Sequence, residues 1–180
     1  PHSHAAAEMA VQMVHEGKVE ALMKGKIHTD ELMLAVMDKQ KGLRTGRRMS
    51  HVAMLDIPKF PRPLYVTDAA INIQPNLTQK VDIVQNAIDL FLAVNKTVPR
   101  VALLSAVETV NQDIPSTLDA TALCKMAERG QITGALLDGP PSARRAARAY
   151  RSTVWALPGP VSNIRARPPP PRASRFTTAP

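Results

Sequence analysis

The charge balance of this chain changes abruptly at Asp138-Gly139-Pro140, and this change limits which part of the chain can build a folded core. Residues 1–139 carry 15 Lys and Arg against 15 Asp and Glu, whereas residues 140–180 carry eight Arg and no Lys, Asp or Glu. The second segment also holds nine Pro and little periodic apolar pattern, so it cannot bury enough surface to offset its ordering entropy. We therefore expect a folded domain over 1–139 and a disordered Pro/Arg-rich tail over 140–180.

Within the first 139 residues, short apolar runs alternate with segments of helical spacing. The runs predict strands over 19–23, 51–55, 64–66, 100–105 and 133–137. The helical spacing predicts helices over 6–14, from Thr29 onward, over 77–94, and from Ser116 to Arg129. Strands that alternate with helices are typical of an α/β protein with a largely parallel sheet.

Composition excludes several classes of protein. The single cysteine, Cys124, rules out an internal disulfide framework and a CxxC zinc site, and its apolar neighbours predict a small core residue. No stretch reaches the roughly 18 apolar residues of a membrane span, and the N-terminus lacks the pattern of a signal peptide. We expect a soluble, cytoplasmic protein, and the start at Pro1 without a Met indicates that further sequence precedes it.

Polar side chains stand at the ends of the predicted strands. In an open α/β sheet, ligands bind beyond the carboxyl ends of the strands. The residues that follow the apolar runs are Lys24, Asp68 with Asn72, Ser105 with Glu108, and Asp138, while Ser50 and His51 stand at the entry of their strand.

Two further features of the sequence can each be interpreted in two ways. The helix starts at Thr29 and Ser116 could bind phosphate, although the spacing alone favours simple helix caps. Arg44, Arg47 and Arg48 could hold an anion or form a solvated loop. No GxGxxG or P-loop motif is present, which disfavours dinucleotide and nucleoside triphosphate chemistry, and the His residues make no metal-ligand spacing.

Eight short motifs follow one another through residues 5–140. They are Leu22-Met-Lys-Gly25 with Thr29, Ser50-His-Val52, Thr67-Asp-Ala-Ala70 with Asn72 and Pro75, the helix from Lys80 to Ala87, Val101-Ala-Leu-Leu-Ser105 with Glu108, Ser116-Thr117, Gly130-Gln131 and Asp138-Gly-Pro140. In order and spacing this chain resembles the phosphate acetyl/butyryltransferase family. Residues 42–108 are especially similar to the transferase half of bacterial fusions with an enoyl-CoA hydratase domain.

The resemblance implies an acyltransferase that exchanges an acyl group between coenzyme A and phosphate, giving acyl phosphate and free CoA. In this direction phosphate would attack the acyl carbonyl and the CoA thiolate would leave; in the reverse direction the CoA thiolate would attack the carbonyl of the acyl phosphate and phosphate would leave. CoA and phosphate would be substrates, with no metal or nicotinamide cofactor. The implied fold is a three-layer α/β/α architecture like the isocitrate and isopropylmalate dehydrogenases, incomplete here, with a cleft between two domains and a homodimeric assembly.

The resemblance also assigns residues to the substrate-binding cleft. Its walls would be formed by Lys24, Gly25, Thr29, Ser50, His51, Asp68, Asn72, Glu108 and Asp138. The Ser-Arg-x-Asp segment that carries the family's main catalytic residues has no counterpart in this sequence, so the catalytic residues are unknown. We expect this chain alone to be poorly stable and inactive.

The tail departs from the family pattern directly after Pro140. We hypothesise that it is translated from a shifted reading frame, because Arg, Pro, Ala and Ser are common in out-of-frame GC-rich sequence. Two other functions stay open: a related phosphate-handling enzyme of the same superfold, such as a fatty acyl-ACP phosphate acyltransferase, and an Arg-rich nucleic-acid-binding protein. The tail lacks Lys and RGG-like repeats, which disfavours nucleic acid, and steep salt dependence would test for it.

Overall fold

The computed structural model describes residues 3–58, 62–141 and the strand at 153–156. These residues form four helices and five strands. The chain divides into two compact units, Pro1–Met49 and Ser50–Pro180. Each unit has its own buried apolar cluster.

The first unit is built on two helices, α1 (Ser3–His15) and α2 (Thr29–Val36). Ala7 and Val11 of α1 are buried against Ala35 of α2. The chain leaves α1 through Gly17, whose φ of 68° is a left-handed conformation that glycine adopts without a Cβ clash. The predicted first helix and its stop are therefore confirmed.

The strand predicted over 19–23 is wrong. This segment is irregular, and although Leu22 packs against the buried cluster, Met23 is 98% exposed. A strand needs a neighbour for its backbone N–H and C=O groups, and the described residues of the first unit offer none. The segment is a loop that leads into α2.

The second unit contains one sheet. Its strands are β1 (Val52–Leu55), β2 (Leu64–Thr67), β3 (Arg100–Leu103), β4 (Leu136–Asp138) and β5 (Thr153–Ala156). In the described part of the chain their order is β1-β2-β5-β3-β4. The pairing of β1 with β2 is antiparallel and the other three are parallel, which confirms an α/β protein with a largely parallel sheet.

Two helices, α3 (Leu77–Asn95) and α4 (Pro115–Glu128), pack on this sheet. A capping box between Asn76 and Gln79 begins α3. Its buried face joins Tyr65, Val101 and the buried residues of α4 in one apolar core. The members from α3 and then α4 are Val84, Ala87, Ile88, Phe91, Ala120 and Leu123. Lys80 of α3 also forms an ion pair with Asp119 of α4.

Both predicted helix caps are displaced by one or two residues. His28 precedes α2, so Thr29 is its first helical residue and not its cap. Ile114 precedes α4, and Pro115 occupies the first turn, where its fixed φ suits a helix and its missing N–H is not needed. Ser116 lies within that turn and bonds elsewhere.

The prediction that 140–180 is disordered is wrong for four residues. Thr153–Ala156 form β5, which pairs with β2 on one side and β3 on the other. This stretch contains no Pro or Arg and consists of residue types that favour strands apart from its alanine. Residues 142–152 and 157–180 lie outside the described residues, so the rest of that prediction has no test here.

Candidate functional site

The strand directions bring most of the predicted site residues to one edge of the sheet. β2, β3, β4 and β5 run parallel, so their carboxyl ends share an edge. β1 runs the other way, and Val52 at its start is opposite Thr67 at the end of β2. Ser50 and His51 therefore stand at the same edge as Asp68, and Asp138 ends β4 there.

Asp68 is the centre of a hydrogen-bonded cluster at this edge. Its Oδ1 accepts the backbone N–H groups of Ala70 at 3.0 Å and Ile71 at 2.9 Å. Its Oδ2 accepts the side-chain amide of Asn72 and the backbone N–H of His51. The carboxylate is 5% exposed and Asn72 is 8% exposed, so the cluster fixes the loop after β2 to the start of β1.

These contacts decide the charge state of Asp68. Burial would on its own raise the pKa of this carboxyl, but the hydrogen bonds from Ala70, Ile71, Asn72 and His51 together outweigh it and hold the pKa below its ordinary value. A general base needs a pKa near the working pH. Asp68 is therefore suited to holding the site in shape and not to taking up a proton.

The lowered pKa makes the cluster sensitive to acid. The unfolded chain takes up a proton at Asp68 near pH 3.8, before the folded chain does. The stabilisation is therefore fully present above that pH and is lost as the pH falls through the lower folded-state pKa. We expect the difference in unfolding free energy between the wild type and Asp68→Asn to shrink from about pH 5 to about pH 2 in urea titrations. A difference that stays constant over this range would contradict the assignment.

The start of β1 is fixed by two further contacts. The Thr67 hydroxyl donates to the carbonyl of His51 at 2.7 Å, and Thr67 itself is fully buried. The side-chain amide of Asn86, on α3, donates to the Ser50 hydroxyl at 3.0 Å. His51 is therefore held through both of its backbone polar groups, while its side chain is exposed.

The predicted residues after β3 and β4 are more open. Glu108 and Asp138 are both exposed. Beside Asp138, a Cβ added to Gly139 would lie 2.8 Å from the Cβ of Leu103, so only glycine allows this close approach of β4 to β3. The four hydrogen bonds to Asp68 come from other residues, namely Ala70, Ile71, Asn72 and His51.

Two serine hydroxyls join the end of β3 to α4. Ser105 and Ser116 have their Oγ atoms 2.7 Å apart. Thr117 instead ties α4 to the preceding loop: its hydroxyl accepts the N–H of Asn111, and its one hydrogen is shared between the carbonyls of Ile114 and Asn111, each 2.8 Å away. Ser116 therefore links two elements and does not cap its helix.

The remaining predicted site residues belong to the first unit. Lys24 is exposed and its ammonium group donates to the carbonyls of Gly25 at 3.3 Å and Ile27 at 3.0 Å. Thr29 is exposed at the start of α2. These contacts turn the loop between the helices, and a role of Lys24, Gly25 or Thr29 in binding substrate stays a prediction.

Cys124 behaves as the core residue that its sequence context predicts. It packs against the main core of the second unit. Burial, with the nearby charges of Asp138 and Glu128, raises the pKa of its thiol to about 11. The reactive species is the thiolate, so we expect alkylation at pH 8 to be about 100-fold slower in the folded chain than in the chain unfolded in urea. Equal rates in the two states would contradict this burial.

Two negative findings concern only the described residues. Within 3–58 and 62–141, no group of three or more His, Cys, Asp or Glu side chains is placed to hold a metal ion. None of the helices in the described part of the chain combines the length and apolar character that crossing a membrane requires.

The fold and the site define an α/β protein whose polar groups collect at the carboxyl edge of a largely parallel sheet. A family model described as phosphate acetyl/butaryl transferase matches residues 3–148. The chain belongs to the phosphate acetyl/butyryltransferase family. The match continues past Gly139. The similarity to the family therefore extends beyond Pro140, where the resemblance was expected to end.

Relatives and solved structures agree with this assignment. The chain is 56% identical over 162 residues to a phosphate acetyltransferase of Rhizobium meliloti. This alignment covers 90% of this chain and 51% of that protein. It is 46% identical over 140 residues to a phosphate butyryltransferase of Clostridium acetobutylicum, covering 78% of this chain and 46% of the relative. The chain therefore spans about half the length of the curated relatives it matches.

Among solved structures, a branched-chain phosphotransacylase from Enterococcus faecalis superposes with a TM-score of 0.75 at 27% identity, covering 88% of this chain and 61% of that one. The EutD phosphotransacetylase from Staphylococcus aureus superposes with a TM-score of 0.58 at 16% identity, covering 85% and 51%. The second likeness concerns the fold alone.

Proposed function

We propose that the protein to which this chain belongs is a phosphate acyltransferase, which converts acyl-CoA and phosphate to acyl phosphate and free CoA. The observation that carries the proposal is the 56% identity to the phosphate acetyltransferase of Rhizobium meliloti over 90% of this chain. Acetyltransferases and butyryltransferases both occur among the relatives, so the acyl group is short and its length is left to experiment.

The ordered edge of the second unit supports a substrate-binding role for part of the predicted set. His51 and Asn72 are hydrogen-bonded to Asp68, and Ser50 is hydrogen-bonded to Asn86 of α3; such preorganisation is what transition-state stabilisation requires. In this proposal Asp68 and Asn72 hold the loop, and Ser50 and His51 face the substrates.

Five other predicted residues are proposed to bind substrate. Asp138 and Glu108 are exposed polar groups of the second unit. Lys24, Gly25 and Thr29 belong to the first unit. Their binding roles rest on the resemblance to the family.

The finer expectations about the whole protein are also proposals. We propose the three-layer α/β/α fold of the isocitrate and isopropylmalate dehydrogenase type, a homodimer, and a cytoplasmic location. We further propose that acyl transfer needs no metal or organic cofactor, because the substrates themselves supply the nucleophile: phosphate when acyl phosphate forms, and the CoA thiolate in the reverse reaction. The domain boundary at 139/140 and the shifted reading frame stay predictions.

A hybrid protein tests the proposed activity. The chain replaces the matching 51% of the Rhizobium meliloti enzyme, and acyl phosphate formed from acetyl-CoA or butyryl-CoA with phosphate is trapped by hydroxylamine. We expect the hybrid to form acyl phosphate and the 180-residue chain alone to form none. A folded hybrid without activity, beside an active Rhizobium meliloti enzyme, would contradict the proposal, and activity of the chain alone would contradict the expectation that it is inactive.

A further inference from the structure

We propose that Asn86 is a positioning residue, which turns the Ser50 hydroxyl into a hydrogen-bond donor for an anionic phosphate oxygen of the substrate. The inference rests on the proposed function and adds a specific task for α3 in it. Asn86 is 36 residues from Ser50 in the sequence and belongs to none of the expected binding residues.

Asn86 is held in place by a helix that is anchored in the core of the second unit. Its next two neighbours on α3, Ala87 and Ile88, are fully buried in the core, and the capping box at Asn76 fixes the start of the helix. The amide of Asn86 therefore reaches Ser50 from a rigid element, and rigid elements hold a binding group more precisely than loops do.

The polarity of the contact sets the direction of the Ser50 hydroxyl. A hydroxyl has one hydrogen to donate and two lone pairs to accept, whereas an amide nitrogen only donates. Because Asn86 Nδ2 donates to Ser50 Oγ at 3.0 Å, it occupies a lone pair and leaves the hydroxyl hydrogen free for another acceptor. Among the described residues, the hydroxyl makes no second hydrogen bond.

The neighbouring groups at this edge are already satisfied. The N–H of His51 donates to Asp68 and its carbonyl accepts from Thr67. The Asp68 carboxylate accepts four hydrogen bonds, which spreads its negative charge over backbone and amide donors. The Ser50 hydroxyl is thus an uncommitted donor beside the satisfied backbone groups of His51, and a phosphate oxygen is the acceptor that the proposed reaction brings to the site.

Binding of inorganic phosphate and acetyl phosphate to the purified 180-residue chain tests the inference, with calorimetry as the measurement. We expect Asn86→Ala to weaken acetyl phosphate binding about tenfold. Asn86→Asp keeps the shape but offers an acceptor that captures the hydroxyl hydrogen, so we expect a larger loss than for the alanine variant.

Asn95 provides the matched control. It lies on the same helix and its amide also donates to a hydroxyl, that of Tyr65, at 2.9 Å. Asn95→Ala removes a comparable structural hydrogen bond, so it should leave the affinity for acetyl phosphate within about twofold of the wild type. An equal loss of affinity in Asn95→Ala and Asn86→Ala would show a general effect of stability and would overturn the inference.

A double-mutant comparison separates positioning from packing. Ser50→Ala should weaken binding by itself, and adding Asn86→Ala to it should change the affinity no further, because Asn86 acts only through that hydroxyl. Additive losses would overturn the inference while the proposed function stands. If the wild-type chain binds neither ligand under any condition, the inference is overturned, whereas the hybrid enzyme decides the proposed function separately.

Discussion

Asp68→Ala is expected to lower the free energy of unfolding of this chain by about 3 kcal/mol, because the donors of four hydrogen bonds lose this acceptor at once. The N–H groups of Ala70 and Ile71 and the amide of Asn72 point at the carboxylate, and Asp68 itself is 5% exposed. Urea unfolding followed by circular dichroism measures the change.

Asp56→Ala is the control for this prediction. Asp56 follows β1 and is exposed, so its removal should change the free energy of unfolding by less than about 0.5 kcal/mol. If the two variants were equally stable, the four hydrogen bonds at Asp68 would not form the cluster described above.

Val154→Pro is expected to destabilise the second unit by about 3 kcal/mol or more. Val154 lies in β5 opposite Tyr65 of β2 on one side and Val101 of β3 on the other. Proline has no N–H and is found in sheets only at edges or bulges, so it cannot occupy this central strand without breaking the sheet. Thermal unfolding and urea titration of the whole chain measure the loss.

The matched variant Val154→Thr keeps the N–H and the β-branched shape. It should cost less than half as much as the proline substitution, because the backbone pairing survives. Wild-type stability in Val154→Pro would mean that Thr153–Ala156 do not pair in solution, and it would restore the expectation of a fully disordered tail.

The elements that sequence reasoning predicted well carry their signal locally. The helix predicted over 77–94 is observed as α3, Leu77–Asn95, since an apolar stripe and a capping pair lie within the segment itself. The runs predicted over 64–66 and 100–105 became β2 and β3 because each is an apolar stretch bounded by proline.

The wrong predictions depend on partners that the sequence does not display. Residues 19–23 have strand composition, yet no neighbouring strand exists for them in the described part of the first unit. The sequence did not predict β5, because the Pro and Arg content of the whole tail indicated disorder. A central strand needs only a few suitable residues.

In the candidate site, too, local sequence signals led to correct expectations, whereas contacts between distant segments were missed. Strand ends predicted Asp68 after β2 and placed Ser50 and His51 at the entry of β1, and they share an edge because β1 pairs with β2 in the antiparallel direction. The role of Asp68 as an acceptor for the following N–H groups could have been recognised from an aspartate that begins a turn. Asn86 could not, because helical spacing marks it as one more polar residue on α3 and its contact with Ser50 depends on tertiary packing.

The position of β5 also determines when the sheet can form during protein synthesis. Among the described residues β5 is the last strand in the sequence, but it lies in the centre of the order β1-β2-β5-β3-β4. About 50 residues separate β3 from β5, which a ribosome takes about 3 to 10 s to translate. During that interval β2 and β3 have no strand between them, and their free edges are available to chaperones or to other nascent chains. The final assembly of this sheet is therefore a late event that depends on the segment least like a folded domain in composition.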